Sequence, residues 1–329
     1  MNRGTEGPQV RASRPGGKAV LLAKAVISIA ILLFLLSQMR LDELGAAMRQ
    51  LSPWAFTAAV GLYLFASWLS ALRWGLLIPH PFTQRRLFSL YIIGSFFNTC
   101  MPGTIGGDAV KAYYLGQELK ERGEEGHAAV AVASVFMDRY IGLAALLFIP
   151  VAVMPLGLPF LETIPGGLPV KWLLPLTFGS FLVLTFILFR IKLGARVRFL
   201  LKVYDYLHHY RSQAGILVRS FSYSIIIQLS GILAVYTLAR GMGIDVGLVS
   251  LLIFVPLIIL ITILPVSISG IGVREGAFAF FLGSLGVPSS LAVSLSLIWF
   301  LSVAAASLWG VAEYWRYRQG AGGREQGQG

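Results

Sequence analysis

Apolar residues in this chain come in long runs, not in the alternating pattern of strands or the heptads of coiled coils. Six runs, 19–37, 53–78, 127–153, 172–190, 216–240 and 289–312, predict spanning helices. Each is long enough to cross a hydrocarbon core of about 30 Å at about 1.5 Å per residue. Two further apolar regions are broken by glycine, proline and polar residues. The first break reads Asn98-Thr99-Cys100-Met101-Pro102-Gly103-Thr104-Ile105-Gly106-Gly107-Asp108 and the second Pro265-Val266-Ser267-Ile268-Ser269-Gly270-Ile271-Gly272-Val273-Arg274-Glu275. The flanking pieces 87–98 and 108–118 reach only about 16–18 Å as helices, and 273–286 about 21 Å, while 248–264 carries Pro256. Backbone that leaves the helix at membrane depth strands amides and carbonyls that lipid cannot satisfy, so such breaks face protein or a watery cavity. Both regions therefore predict re-entrant hairpins with non-helical tips.

Lys and Arg orient these elements. The N-terminal tail holds Arg3, Arg11, Arg14 and Lys18. The segment 190–219 holds Arg190, Lys192, Arg196, Arg198, Lys202, Arg211 and Arg219 against Asp205 alone, and the C-terminal tail holds Arg316, Arg318 and Arg324. Basic loops stay cytoplasmic. The weakly charged segments 38–52, 154–171 and 241–247 suit the outside. One topology meets every assignment: an all-α polytopic membrane protein with six spanning helices, two re-entrant broken-helix hairpins and both termini cytoplasmic. Its halves carry the same elements in opposite orientation, an inverted-topology repeat, with Asn98 and Pro265 offset by 167 positions. Such repeats build many secondary transporters, with the site where the broken helices meet near the midplane. The expected divisions are a basic cytoplasmic tail (1–18), a first membrane repeat (19–153), an external loop (154–171), a second membrane repeat (172–312) and a cytoplasmic tail (313–329).

Composition supports a membrane class: 56% hydrophobic and 13% charged residues, against about 45–50% and 25% in soluble domains. The net charge of +12 is concentrated in a few inter-helix segments, which argues for an oriented membrane protein and against nucleic-acid binding. Cys100 is the sole cysteine, so an intrachain disulfide and a multi-cysteine metal site are excluded. No small-residue cleavage site follows Leu36, which reads as an uncleaved first helix. Residues 190–215 mix basic and apolar positions as an interfacial helix on anionic lipid does. The Gly- and Gln-rich residues 320–329 are expected to be disordered.

The candidate chemistry lies in the breaks and in one span. Asp138 and Arg139 sit at the centre of 127–153, where a charge costs at least about 2.5–3.5 kcal/mol and must face protein or a cavity. Arg274 and Glu275 open a helix after Gly270 and Gly272; free amides and the positive dipole end there suit a phosphate. The competing reading has Glu275 compensating the dipole while Arg274 pairs with an acid. Gly106, Gly107 and Asp108 mirror this arrangement. Asp108 is expected to cap 109–118; in a functional role it meets a cationic headgroup or pairs with Arg274. Lys111 either contacts a phosphate or snorkels to the interface. Asn98 bonds the broken backbone or a ligand, and Ser267 belongs to the second break. Arg73, near the end of its span, is expected to snorkel, and Gln228 to bridge helices. His208 and His209 make a poor metal site, no cofactor is expected, and the absence of G-x-x-x-x-G-K-[ST] leaves nucleotide-driven pumping unsupported.

These features together resemble the flippase-like transmembrane domain of lysylphosphatidylglycerol synthetases and its stand-alone relatives. The resemblance rests on Asn98, Pro102-Gly103, Gly106-Gly107-Asp108, Lys111, Asp138-Arg139, Pro265, Ser267, Gly270-x-Gly272-x-Arg274-Glu275 and Arg73-Trp74, and covers about 20–312. Lys111 departs mildly from relatives that often carry Arg. The resemblance implies handling of a lipid or lipid-linked headgroup in the cytoplasmic membrane. It does not carry over the synthetase activity, which belongs to a soluble domain. The expected function is translocation of an anionic phospholipid or lipid-linked headgroup between leaflets. Asn98, Gly106, Gly107, Asp108, Lys111, Asp138, Arg139, Ser267, Gly270, Gly272, Arg274 and Glu275 would form the path. The alternative is an integral-membrane glycosyltransferase, or its accessory subunit, in polyprenyl-phosphate sugar metabolism.

Overall fold

The computed structural model describes residues 51–100, 106–161, 170–190, 210, 213–263 and 270–325. Within them the chain is all-α: α1 (Pro53–Leu76), α2 (Gln84–Cys100), α3 (Gly106–Glu121), α4 (His127–Leu161), α5 (Val170–Arg190), α6 (Ala214–Gly241), α7 (Leu248–Ile263), α8 (Val273–Gly283), α9 (Ser289–Ser307) and α10 (Trp309–Glu325). Five helical stretches are long and apolar enough to cross a membrane: Pro53–Leu76, His127–Gly157, Val170–Ile187, Ala214–Gly241 and Ser289–Tyr317. They coincide with five of the six expected spans. The sixth, 19–37, lies outside the described residues, as does most of the expected interfacial segment 190–215.

Pro53 opens α1, where its fixed φ and missing N–H cost nothing. Pro175 and Pro256 lie inside α5 and α7 without ending them; neighbouring helices make such prolines tolerable in a membrane.

The most extensive helix pair is α1 with α6, and the two run antiparallel. Ser52 N donates to Gly241 O (3.1 Å) at one end, while Arg73 meets Ser224 at the other. A Cβ on Gly241 would collide with Ala55 Cβ, so the backbones cross closely there. The remaining packing falls into matched pairs. Contacts α1–α2, α2–α3, α3–α4, α1–α4, α4–α6 and α4–α7 have counterparts in α6–α7, α7–α8, α8–α9, α6–α9, α9–α1 and α9–α2. Exchanging α1, α2, α3 and α4 with α6, α7, α8 and α9 thus leaves this packing map unchanged. Helices α5 and α10 sit outside the scheme, against α4 and α2 respectively. α5 turns Trp172, Leu176, Leu184 and Phe186 outward, as lipid requires. One apolar core joins α1 and α4–α9; a second, around Trp74, Leu90 and Leu115, joins α1–α4.

Four boundaries differ from the sequence reading. The legs α2 and α3 span 17 and 16 residues, about 24–26 Å, because polar first and last turns extend each apolar piece. Arg86 and Glu118 bridge those turns at 2.6 Å. The breaks are narrower than expected: Asn98–Cys100 finish α2, Gly106–Asp108 begin α3, and Val273–Glu275 begin α8. Within the two breaks, 101–105 and 265–269 lie outside the described residues, and Gly270–Gly272 form a turn. α4 continues past 153 to Leu161. Residues 320–325, expected to be disordered, continue α10, since extending a formed helix adds one hydrogen bond per residue fixed.

Candidate functional site

α2 and α3 form an antiparallel hairpin, with Arg86–Glu118 at its base and Asn98–Gly107 at its tip. Asn98 Oδ1 accepts from Gly107 N (2.8 Å), so the side chain ending one leg satisfies an orphan amide that opens the other. Glycine lets the legs touch. A Cβ on Gly107 would overlap Gly94 O and lie 2.6 Å from Asn98 Cγ; one on Gly94 would lie 2.5 Å from Lys111 Cγ.

Below this tip five charged side chains meet. Arg73 is buried (4% exposed) and donates from Nε to Asp138 Oδ1 (2.8 Å) and from Nη1 to Ser224 Oγ (2.7 Å). Asp138 is fully buried. Arg139 grips Asp108 with two parallel bonds, Nε to Oδ2 and Nη2 to Oδ1, both 2.7 Å. Lys111 is 1% exposed, and its Nζ lies 3.1 Å from Asp108 Oδ1 and 3.9 Å from Asp138 Oδ2. The first contact is an ion pair off the hydrogen-bonding direction and the second is too long for a hydrogen bond, so Lys111 Nζ and Asp138 Oδ2 are buried without a hydrogen-bond partner among the described residues. The ammonium instead faces the rings of Tyr91 (4.3 Å to the centroid) and Trp74 (5.5 Å). Trp74 is held by Ser134, whose Oγ accepts from Nε1 at 3.2 Å.

Arg139 is the open member of the group, with 51% of its side chain accessible. It sits twelve residues into α4, about 18 Å along the helix. A charge facing lipid at that depth is costly, so its free edge calls for a polar environment.

The second break builds a smaller cluster. Glu275, the third residue of α8, is fully buried. Its Oε2 accepts from Gly272 N (2.7 Å), and its Oε1 accepts from Arg274 Nη2 (2.6 Å) and Nε (3.1 Å) and from Ser296 Oγ (3.2 Å). Gly272 has φ +82°, a conformation open to glycine but strained for side chains with a Cβ. Arg274 also donates to Ser296 Oγ (3.0 Å) and stacks over Phe300 at 4.8 Å. The competing sequence reading therefore describes this end: Glu275 compensates the helix start and Arg274 pairs with it.

Asp108 and Glu275 are each the third residue of the second leg and differ by the same 167 positions as the breaks. Asp108 is not an N-cap but lies within the first turn of α3, and its partners are Arg139 and Lys111, not Arg274. Among the described residues no hydrogen bond or ion pair joins the two clusters. The first lies toward the end where α1 finishes and α4 begins. The second lies toward the other end, seven residues into α9 at Ser296. The first turns of α10 lie on the first side, since Ser89 donates to Glu313 (2.7 Å) near the hairpin base.

Neither Arg73 nor Lys111 snorkels. Each is buried because an acid from another helix turn waits inside the bundle, a pairing that hydropathy does not reveal. Gln228 does bridge helices, donating to Gly142 O at 3.1 Å. Ser267 lies outside the described residues. Sequence reasoning missed Tyr91, Ser134, Ser224, Ser296 and Phe300; Trp74 was marked only by its place beside Arg73 in the family resemblance. Among the described residues no three His, Cys, Asp or Glu gather as a metal site.

Residues 21–310 match the family described as the lysylphosphatidylglycerol synthase TM region. The chain is also similar to a UPF0104 membrane protein of Methanothermobacter thermautotrophicus, 24% identical over 316 residues, covering 85% of this chain and 89% of that protein.

Proposed function

The chain belongs to the lysylphosphatidylglycerol synthase transmembrane-region family, and from that premise we propose that it moves an anionic phospholipid or lipid-linked headgroup between leaflets of the cytoplasmic membrane. The supporting observation is Arg139: a half-exposed guanidinium deep in a spanning helix, bound to Asp108 where the first hairpin breaks. Such a charge suits a watery path that admits a headgroup while the acyl chains stay in lipid. The packing map supports an inverted repeat, because α1 and α6 exchange under it and run antiparallel. In this reading both hairpins are re-entrant, one entering from each side, and both termini are cytoplasmic. Asn98, Gly106, Gly107, Asp108, Lys111, Asp138 and Arg139 form the inner part of the path. Ser267, Gly270, Gly272, Arg274 and Glu275 form the outer tip.

The test is movement of a labelled anionic lipid between leaflets of vesicles that contain the purified protein. Arg139→Gln removes a charge-assisted contact worth about 1.5–3 kcal/mol, roughly ten- to hundredfold in rate. A well-folded variant that moves lipid at the parental rate refutes the path.

A further inference from the structure

Given the translocase reading, we propose that the first cluster selects a phosphate diester carrying a single negative charge, with Lys111 as the cation that receives it. Each acid of the cluster already has an arginine. Arg73 holds Asp138 Oδ1, and Arg139 holds both oxygens of Asp108. Lys111 remains over. Its ammonium is buried beside two carboxylates that others hold, and it makes no hydrogen bond. Three cations face two carboxylates, so among the described residues one positive charge is uncompensated.

The faces of Tyr91 and Trp74 attract a cation but carry no charge to cancel it. A surplus charge inside a membrane protein is costly, and one anion cancels it. A phosphodiester makes the occupied cluster neutral. A phosphomonoester or pyrophosphate, with more charge, leaves it negative. Entry is on the Arg139 side. Nε and Nη2 of that guanidinium are held by Asp108, while Nη1 has no hydrogen bond among the described residues and half the side chain is open. Arg139 and Lys111 share Asp108, so an anion arriving at the open edge reaches the lysine by displacing one carboxylate. The second cluster offers no such vacancy in charge. Arg274 and Glu275 balance one for one, and both Glu275 oxygens are bonded.

A diester of this charge comes from a glycerophospholipid or from a prenyl-phosphate sugar. The test is equilibrium binding to the full chain in non-ionic detergent at about pH 8, where a phosphomonoester is close to doubly charged. The probes are dioctanoyl phosphatidylglycerol and a prenyl-phosphoryl hexose as monoanionic diesters, dioctanoyl phosphatidate and a prenyl pyrophosphate as more highly charged ligands, and dioctanoyl phosphatidylcholine as a diester without net charge. At least one monoanionic diester should bind roughly tenfold or more tighter than phosphatidylcholine, and no more highly charged ligand should exceed it. The tighter of the two diesters names the lipid source. Lys111→Met should lower diester binding to the phosphatidylcholine level, and Lys111→Arg, which keeps the charge, should restore it. A preference for phosphatidate or pyrophosphate in the parental protein overturns the charge assignment, and this ranking needs no variant. Undiminished diester binding by Lys111→Met overturns it too. If the assignment fails while transport still depends on Arg139, the translocase reading survives. If no anionic ester binds, both fall.

Discussion

Arg73 and Asp138 form a buried pair at 2.8 Å, but the two residues should not be equally costly to lose. Asp138→Asn leaves Arg73 beside an amide that cannot balance it and takes from Lys111 a carboxylate oxygen 3.9 Å away. Breaking a buried pair by removing one partner costs about 3–5 kcal/mol, because an uncompensated charge stays inside. Arg73→Met removes bonds to Asp138 and Ser224, yet it leaves Asp138 with Lys111 close enough to replace the arginine. Its cost should be nearer that of one charge-assisted hydrogen bond, about 1.5–3 kcal/mol. The double variant keeps the cluster's net charge at the parental value and should be more stable than Asp138→Asn alone. The assay is loss of the folded peak on heating the detergent-solubilised protein, followed by size-exclusion chromatography. The expected order of stability places the parent first, then Arg73→Met, with Asp138→Asn last and the double variant above it. If Arg73→Met is as damaging as Asp138→Asn, or the double variant is the least stable, Lys111 is not a reserve cation and the charge accounting of the cluster is wrong.

Two further outcomes are expected. Gly107→Ala places a methyl against Gly94 O and Asn98 Cγ. Such overpacking costs about 1–3 kcal/mol, so the variant should melt earlier and transport more slowly; unchanged melting and transport would show that the legs do not cross there. Single cysteines placed within 190–215, in a Cys100→Ser background, should resist an impermeant thiol reagent applied outside intact cells, because the densest basic cluster belongs to the cytoplasm; ready labelling would reverse the proposed orientation.

The sequence alone determined the class of this protein. Long apolar runs leave few folds available, because lipid satisfies no backbone group and each run must close its own hydrogen bonds as a helix. Five spans and both breaks were readable for that reason, and Asn98, Asp108 and the adjacent Asp138 and Arg139 stood out as polar groups where polarity is expensive. What the sequence could not supply was who faces whom. Arg73 reads as a residue that reaches for the interface, and only packing α1 against α4 and α6 brings Asp138 and Ser224 to it. Lys111 reads as an interfacial lysine until the Gly94–Gly107 crossing folds its stem into the bundle beneath Tyr91. Arg139 and Arg274 look equivalent along the chain. The tertiary structure separates them: one reaches from α4 to an acid of the first hairpin and stays half open, while the other closes on the residue beside it. Hydropathy reports the cost of placing a charge in the membrane, but the partner that offsets that cost sits on another helix, and its choice depends on packing that has no local signal.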